Sequence, residues 1–303
     1  MFLFSFQARK LPRLSTTDFL LAVMMSLLIL ACAKTVRAEL VVTVQGAETE
    51  KDLRRVYTKE LIRLALEVTK KDYGPYKLVE NPVGENSARA LKNSADKVFE
   101  NYFVRQSVSM DLIKEMGYIA FPVELGIVGY RVAFVSKQTK ERLKSVNTLE
   151  ELKEFSIVQG IGWLDTRILQ HNGFDVYTSG AFEGMFKTVA LNRVDLFFRG
   201  ANELFDEWNS HTDIDGLTYD ESIVLYYPLP RFFFTAKENV LAIERIQEGL
   251  SRAHENGSVL ELWEAYHRPS LEFVAMDKRR VFRITNPYIK ELSVDYEKYI
   301  YRP

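Results

Sequence analysis

GIVGYRVAFV (Gly126–Val135), VNTLEEL (Val146–Leu152), VQGIGWLDT (Val158–Thr166) and NRVDLFFRG (Asn192–Gly200) follow one another in a single stretch. The first reads as an apolar strand carrying one arginine, Arg131. In the second, Thr148 and Glu151 have the spacing of a capping box, so a helix begins there. The third is a strand that breaks at Gly160 and Gly162 and opens a helix. The fourth is a strand ending in Arg199-Gly200. Strands at Phe155–Gln159, Phe174–Tyr177 and Val194–Phe198 alternate with helices at Asp165–His171, Ala181–Leu191 and Asn202–Ser210. Strand, glycine turn and helix in repetition predict a parallel sheet whose strand ends open into a crevice.

Upstream, ELVVTVQGAE (Glu39–Glu48) has the β-branched composition of a buried first strand. Leu53, Leu61, Leu64 and Val68 recur at helical spacing, predicting an amphipathic helix over Lys51–Lys71. A strand at Tyr76–Asn81, a short helix at Asn86–Ala95, a strand at Asp96–Tyr102 and a helix at Val104–Met116 complete a βαβαβ unit. Downstream, LYYPLPRFFFTA (Leu225–Ala236) is apolar but broken by Pro228 and Pro230, as an extended connector would be. Helices follow at Glu238–Glu255 and Ser258–His267, whose Leu241, Ile246, Leu250 and Leu262 need the first sheet to cover them. The Tyr-rich tail, Val281–Pro303, reads as a surface strap.

The order GYR, GxGWxD, RxDxFxRG resembles the second lobe of type 2 periplasmic solute-binding proteins, extracellular family 3, in a branch apart from its amino-acid receptors. The resemblance covers nearly the whole chain after its N-terminal segment. It implies an α/β fold of two lobes, each a mostly parallel sheet flanked by helices, with two hinge crossings. The first lobe would comprise residues 39–127 and 231–303, the second 128–230. It also implies a monomeric receptor that closes around a small solute and presents it to the permease of an ABC importer. The same fold also serves as a sensor docked on a membrane kinase, cyclase or chemoreceptor, or as the scaffold of an enzyme.

The N-terminus supports export independently. Arg9, Lys10 and Arg13 precede an apolar run of 13 residues, Phe19–Ala31. A membrane span needs about 20, so the run suits a signal peptide over residues 1–38, cleaved after Val36-Arg37-Ala38, and a periplasmic location. Cys32 offers a lipoprotein acceptor as the alternative. Cleavage removes five basic residues and one acidic, moving the formal net charge from −1 to −5, and removes the only cysteine. Disulfides, thiolate metal sites and a cysteine nucleophile are then excluded. A mixed, mildly acidic surface also argues against nucleic-acid binding.

No metal or cofactor is expected. His171, His211, His254 and His267 are scattered, and no HExxH, P-loop or GxSxG pattern occurs. No catalytic residues are assigned. The candidate ligand contacts are Tyr130, Arg131, Gly162, Trp163, Asp165, Thr166, Arg199 and Glu203 from the second lobe. Gln45, Asn101 and Tyr102 join them from first-lobe strand ends, by position alone. Backbone N–H groups at Gly162–Asp165 suit an anion, and Trp163 either stacks on a ligand or fills the core. Asp165 is otherwise a helix N-cap. Arg131 must be paired in its apolar strand, with an anionic ligand or with an internal carboxylate such as Glu124 or Glu203. Arg199 either faces the crevice or pairs with Glu203. The resembled amino-acid receptors place an aspartate near Arg199 to hold the ligand's ammonium. Its absence here points to a carboxylate or other anionic solute.

Overall fold

Both faces of the central strands are apolar, and the fold buries both. The structure, a computed structural model, describes residues 38–47, 54–81 and 84–301 together with Thr17. The leader expected over residues 1–38, Cys32 included, lies outside the described residues apart from Thr17 and Ala38. No described helix is long and apolar enough to cross a membrane.

Among the described residues twelve strands run in chain order: β1 Leu40–Val44, β2 Tyr76–Glu80, β3 Tyr102–Ser107, β4 Gly117–Ile119, β5 Tyr130–Ser136 and β6 Ile157–Gly160. Then come β7 Val176–Ser179, β8 Phe197–Gly200, β9 Leu217–Tyr219, β10 Ile223–Tyr226, β11 Arg231–Thr235 and β12 Arg280–Arg283. One sheet has the order β2-β1-β3-β11-β4. The other has the order β12-β10-β5-β8, with β9 also on β5. The pair β6-β7 joins it through a bridge between Ile157 and Leu196.

Alternation along the strands explains the aromatic runs. Phe103 and Phe233 enter the core beneath the helices Arg54–Val68 and Val240–Glu255. Tyr102, Val104, Phe232 and Phe234 point to the opposite face, over Ala90 and the tail residues Ile289, Leu292, Val294 and Tyr296. The second sheet repeats the device. Ala133, Val135 and Phe198 face one core, Val132, Phe134 and Phe197 the other. A strand buried on both sides reads as a continuous apolar run.

The pairing is less parallel than expected. β1 runs parallel to β2 and β3, but β11 is antiparallel to β3 and β4. In the second sheet β5 is antiparallel to β8, β9 and β10, whereas β10 with β12, β6 with β7 and the Ile157–Leu196 bridge are parallel. β5 and β11 are the strands that arrive from the other lobe. The right-handed crossover that keeps successive βαβ strands parallel does not constrain them.

The region 96–116 also departs from expectation. Residues 96–101 form a turn, with Lys97 and Asn101 at φ 55° and 41°. FVRQS lies within β3 rather than opening a helix. The helix is confined to Met110–Glu115, where the Ser109 hydroxyl accepts the Leu112 N–H. Burial of Phe103 and Val104 between two layers outweighs the helical spacing. By contrast, the capping box at Thr148 and Glu151 is formed. Leu241 is 75% exposed and takes no part in the core.

Besides the crossings expected near Gly126–Gly129 and within Leu225–Ala236, two further passages run between the sheets. The helix Ser258–Val274 outruns its expected end through Pro269. It buries Val259 and Trp263 in the first core and Val274 in the second. Its Ser270 hydroxyl donates to the Ala201 carbonyl (2.6 Å) and accepts the Phe205 N–H (3.1 Å). β12 then joins the second sheet, and the tail returns so that Tyr296 packs on Phe232 and Tyr301 on Trp263.

Candidate ligand cleft between the two sheets

An arginine in an apolar strand has to find a charge partner inside the protein or at a site. Four such arginines converge between the sheets. Arg105 (β3) and Arg231 (β11) come from the first sheet, Arg131 (β5) and Arg199 (β8) from the second. Each is at most 9% exposed. Four buried carboxylates meet them. Arg131 pairs with Asp165 at 2.7 Å, and Asp165 also accepts the Tyr227 hydroxyl at 2.8 Å. Arg199 grips Glu207 through two bonds of 2.7 and 2.6 Å and lies 3.0 Å from Glu203. Arg231 bridges Glu203 (3.0 Å) and Glu124 (3.5 Å), and Arg105 completes the series on Glu124.

The Arg231–Glu203 contact joins the two sheets. Burial alone would raise the Glu203 carboxyl, but Arg199, Arg231, Arg131 and Arg105 overcome it and hold the group well below the usual carboxylate range. Burial opposes the charge on Arg199 and Arg231, and their carboxylates outweigh it and raise both. His267 stands beside this network. Burial, reinforced by Arg105, pushes its pKa down to about 3, so it is neutral near pH 7.

The cleft next to the network is lined by Arg55, Ser87, Arg105, Gln106 and Ser107 from one side. Trp163, Leu164, Asp165, Arg199 and Glu203 face them, with Arg231 at the base. Its volume is about 30 Å³, room for roughly one water. Trp163 lies flat against Gly160, where a Cβ would fall 2.3 Å from the ring. The Arg199 guanidinium sits 5.0 Å from the Trp163 ring. Gly162, at φ 77°, brings the second sheet's turn within reach of Ala88, whose Cβ would lie 3.1 Å from a Cβ at 162.

Of the residues singled out from sequence, Trp163, Asp165, Arg199 and Glu203 are brought together here. Arg131 stands behind Asp165, fully buried, so its partner is neither Glu124 nor Glu203. Asp165 is not an N-cap: Trp163 holds that position, and Asp165 turns inward from the first turn. Thr166 is buried, its hydroxyl 3.4 Å from the Gly160 carbonyl. Arg199 is paired with Glu203 and Glu207 and is not solvated.

The cleft does not include Tyr130, Gln45, Asn101 or Tyr102. Tyr130 packs on Tyr226 and lines two cavities at the crossings. Gln45 donates to the Glu85 carbonyl (3.0 Å), and Asn101 to the Val41 carbonyl (2.8 Å). Tyr102 donates to the Glu85 carboxylate. All three serve the first sheet's own turns. Arg55, Ser87, Gln106, Ser107 and Arg231 escaped the reading. A lone arginine inside FVRQS and another inside LPRFFF were the available signals.

The architecture matches solved structures across most of the chain. An ancestral arginine-binding protein bound to arginine superposes with a TM-score of 0.55, 15% identity, and coverage of 76% of this chain and 99% of that one. The chain has the type 2 periplasmic-binding-protein fold. A periplasmic binding protein of high arginine specificity from Salmonella typhimurium gives 0.56 at 11% identity, over 75% and 99%. A histidine kinase sensor domain with similarity to periplasmic binding proteins gives 0.54 at 12%, over 77% and 97%. No protein-family model and no curated protein matches the sequence. In this fold the cleft between the sheets lies where strand ends converge, the general place for ligands in open α/β sheets. Among the described residues no cluster of His, Cys, Asp or Glu could hold a metal ion.

Proposed function

We propose that this protein is an exported solute-binding receptor whose two lobes close over a small solute carrying a carboxylate or another anionic group. The supporting observation is the composition of the cleft: Arg55, Arg105, Arg199 and Arg231 line it beside Asp165 and Glu203, with Trp163 as an apolar wall. Arginine recognises carboxylates bidentately, and a desolvated cleft strengthens each contact. At about 30 Å³ the cleft is closed, so an amino-acid-sized solute requires the lobes to part. The receptor then presents its cargo to the permease of an ABC importer.

A thermal-shift screen of the protein against organic acids, amino acids, polyamines and sugars tests the reading. A solute at a hundredfold excess over its dissociation constant stabilises by about 2.7 kcal/mol. Stabilisation by anionic solutes supports the assignment. A response confined to cations or neutral sugars refutes it.

The likeness to a histidine kinase sensor domain favours a second reading, in which the same receptor docks on a membrane signalling protein. Uptake of the labelled solute by cells with and without the protein separates the two. Transport requires the receptor to raise uptake, whereas sensing leaves uptake unchanged.

A further inference from the structure

Glu203 occupies an unusual place for a carboxylate in a cleft read as anion-binding. One oxygen lies 3.0 Å from Arg231 of the first sheet. The other lies 3.0 Å from Arg199 and accepts the Gly200 N–H at 2.9 Å. Two guanidiniums and a backbone N–H thus converge on one buried carboxylate, as they would on a bound anion.

Gly200 makes this seat possible. A Cβ at that position would meet Glu203 Oε2 at 3.0 Å and Asn202 Oδ1 at 2.6 Å. The missing side chain lets the carboxylate fold back over the strand end. The strand thus ends in a residue that leaves room for the internal anion, three positions ahead of it.

We propose that Glu203 is a tethered carboxylate occupying the anion seat of the cleft, which an incoming anionic solute must displace. The inference rests on the reading of the cleft as a solute site and adds its regulation. The seat is already filled from within, and the same side chain fastens one lobe to the other through Arg231. An anion that replaces it releases that fastening and takes over the guanidiniums. Solutes lacking an anionic group have nothing to offer the arginines in exchange and leave the latch closed. The filter is therefore chemical, set by competition between two carboxylates, one of them covalently attached.

Acetate is the probe, because it reproduces the Glu203 carboxylate without a chain. Glu203→Ala removes the tethered group, and Gly200→Ala crowds it in its seat while leaving the charge in the chain. Melting temperatures are measured in acetate and in chloride of equal ionic strength, with circular dichroism confirming that each variant is folded. Acetate is expected to raise the melting temperature of Glu203→Ala by several degrees over chloride and to leave the wild type unchanged. Gly200→Ala, which keeps the network's total charge, is expected to show a smaller rise and provides the test if Glu203→Ala does not fold. Absence of any acetate-specific rise in the folded variants overturns the proposal, as does an equal rise in the wild type. The experiment needs no natural solute. A failed solute screen alongside acetate rescue therefore counts against the receptor reading and not against the seat.

Discussion

Arg131 and Asp165 form a 2.7 Å ion pair in which neither side chain reaches solvent, at 0% and 3% exposure. The pair ties the start of β5 to the first turn of the helix Leu164–His171. Tyr227 completes the carboxylate's shell from beyond β10, so three segments of the second lobe meet at one charge.

Breaking that pair from either side strands a charge in the core, which costs about 3–5 kcal/mol. Asp165→Asn and Arg131→Ala are therefore expected to lower the ligand-free stability by that amount in urea unfolding. A loss below about 1 kcal/mol for both would show that the buried charges are not the partners described.

Acid sensitivity has an assignable source. The folded His267 pKa, about 3, is depressed below the ordinary value of 6.5. Its contribution is therefore intact above pH 6.5 and is lost as pH falls toward 3. Glu203 is depressed as well, but its contribution begins to fail only below 4.5. The interval from 6.5 to 4.5 therefore isolates His267 from Glu203. One proton over 1.5 pH units amounts to about 2 kcal/mol by pH 5. Urea unfolding at pH 7 and pH 5 should show this loss in the wild type and not in His267→Gln.

Close helix contact supplies a third expectation. A Cβ on Gly249 would fall 2.2 Å from the Ala65 carbonyl oxygen, where the helices Val240–Glu255 and Arg54–Val68 cross. Gly249→Ala must push the helices apart and is expected to cost about 1–3 kcal/mol, although alanine favours an isolated helix. A neutral or stabilising result in denaturant unfolding would place the helices further apart.

Thr148→Ala removes the hydroxyl that accepts the Glu151 N–H at 3.2 Å and leaves the Glu151 carboxylate on the Thr148 N–H. Loss of such a cap costs about 1 kcal/mol. Calorimetry should register this small drop with no change in solute response, because the helix lies away from the cleft.

The parts legible in the sequence were those whose signals are local. The capping box, the glycine breaks at 160 and 162 and the proline-marked connector each depend on a few adjacent residues. Charge pairing was not legible. Asp165 sits 34 positions from Arg131, and Glu124 stands 107 from Arg231. Nothing in either local pattern names the other partner. The stretch 96–116 failed for a related reason, since FVRQS fits a helix or a buried strand until its two covering layers are known. Tyr130 illustrates the converse: it adjoins Arg131 in sequence, yet strand alternation puts it on the face that carries Val132 and Phe134, and it packs on Tyr226.

The parallel pairing of β10 with β12 has a consequence for how the molecule is made. Ile223 lies opposite Arg280, a separation of 57 residues, and the second sheet stays unfinished until the last part of the chain is present. Loops of that length close slowly, because the entropy of closure must be met before the contacts form. A nascent chain lacking Arg280–Arg283 carries β10 as an open edge, ready to pair with any strand it meets. Closure of the second sheet therefore waits for Arg280–Arg283. Stop codons shortly before Arg280 should yield aggregates rather than a shorter soluble protein.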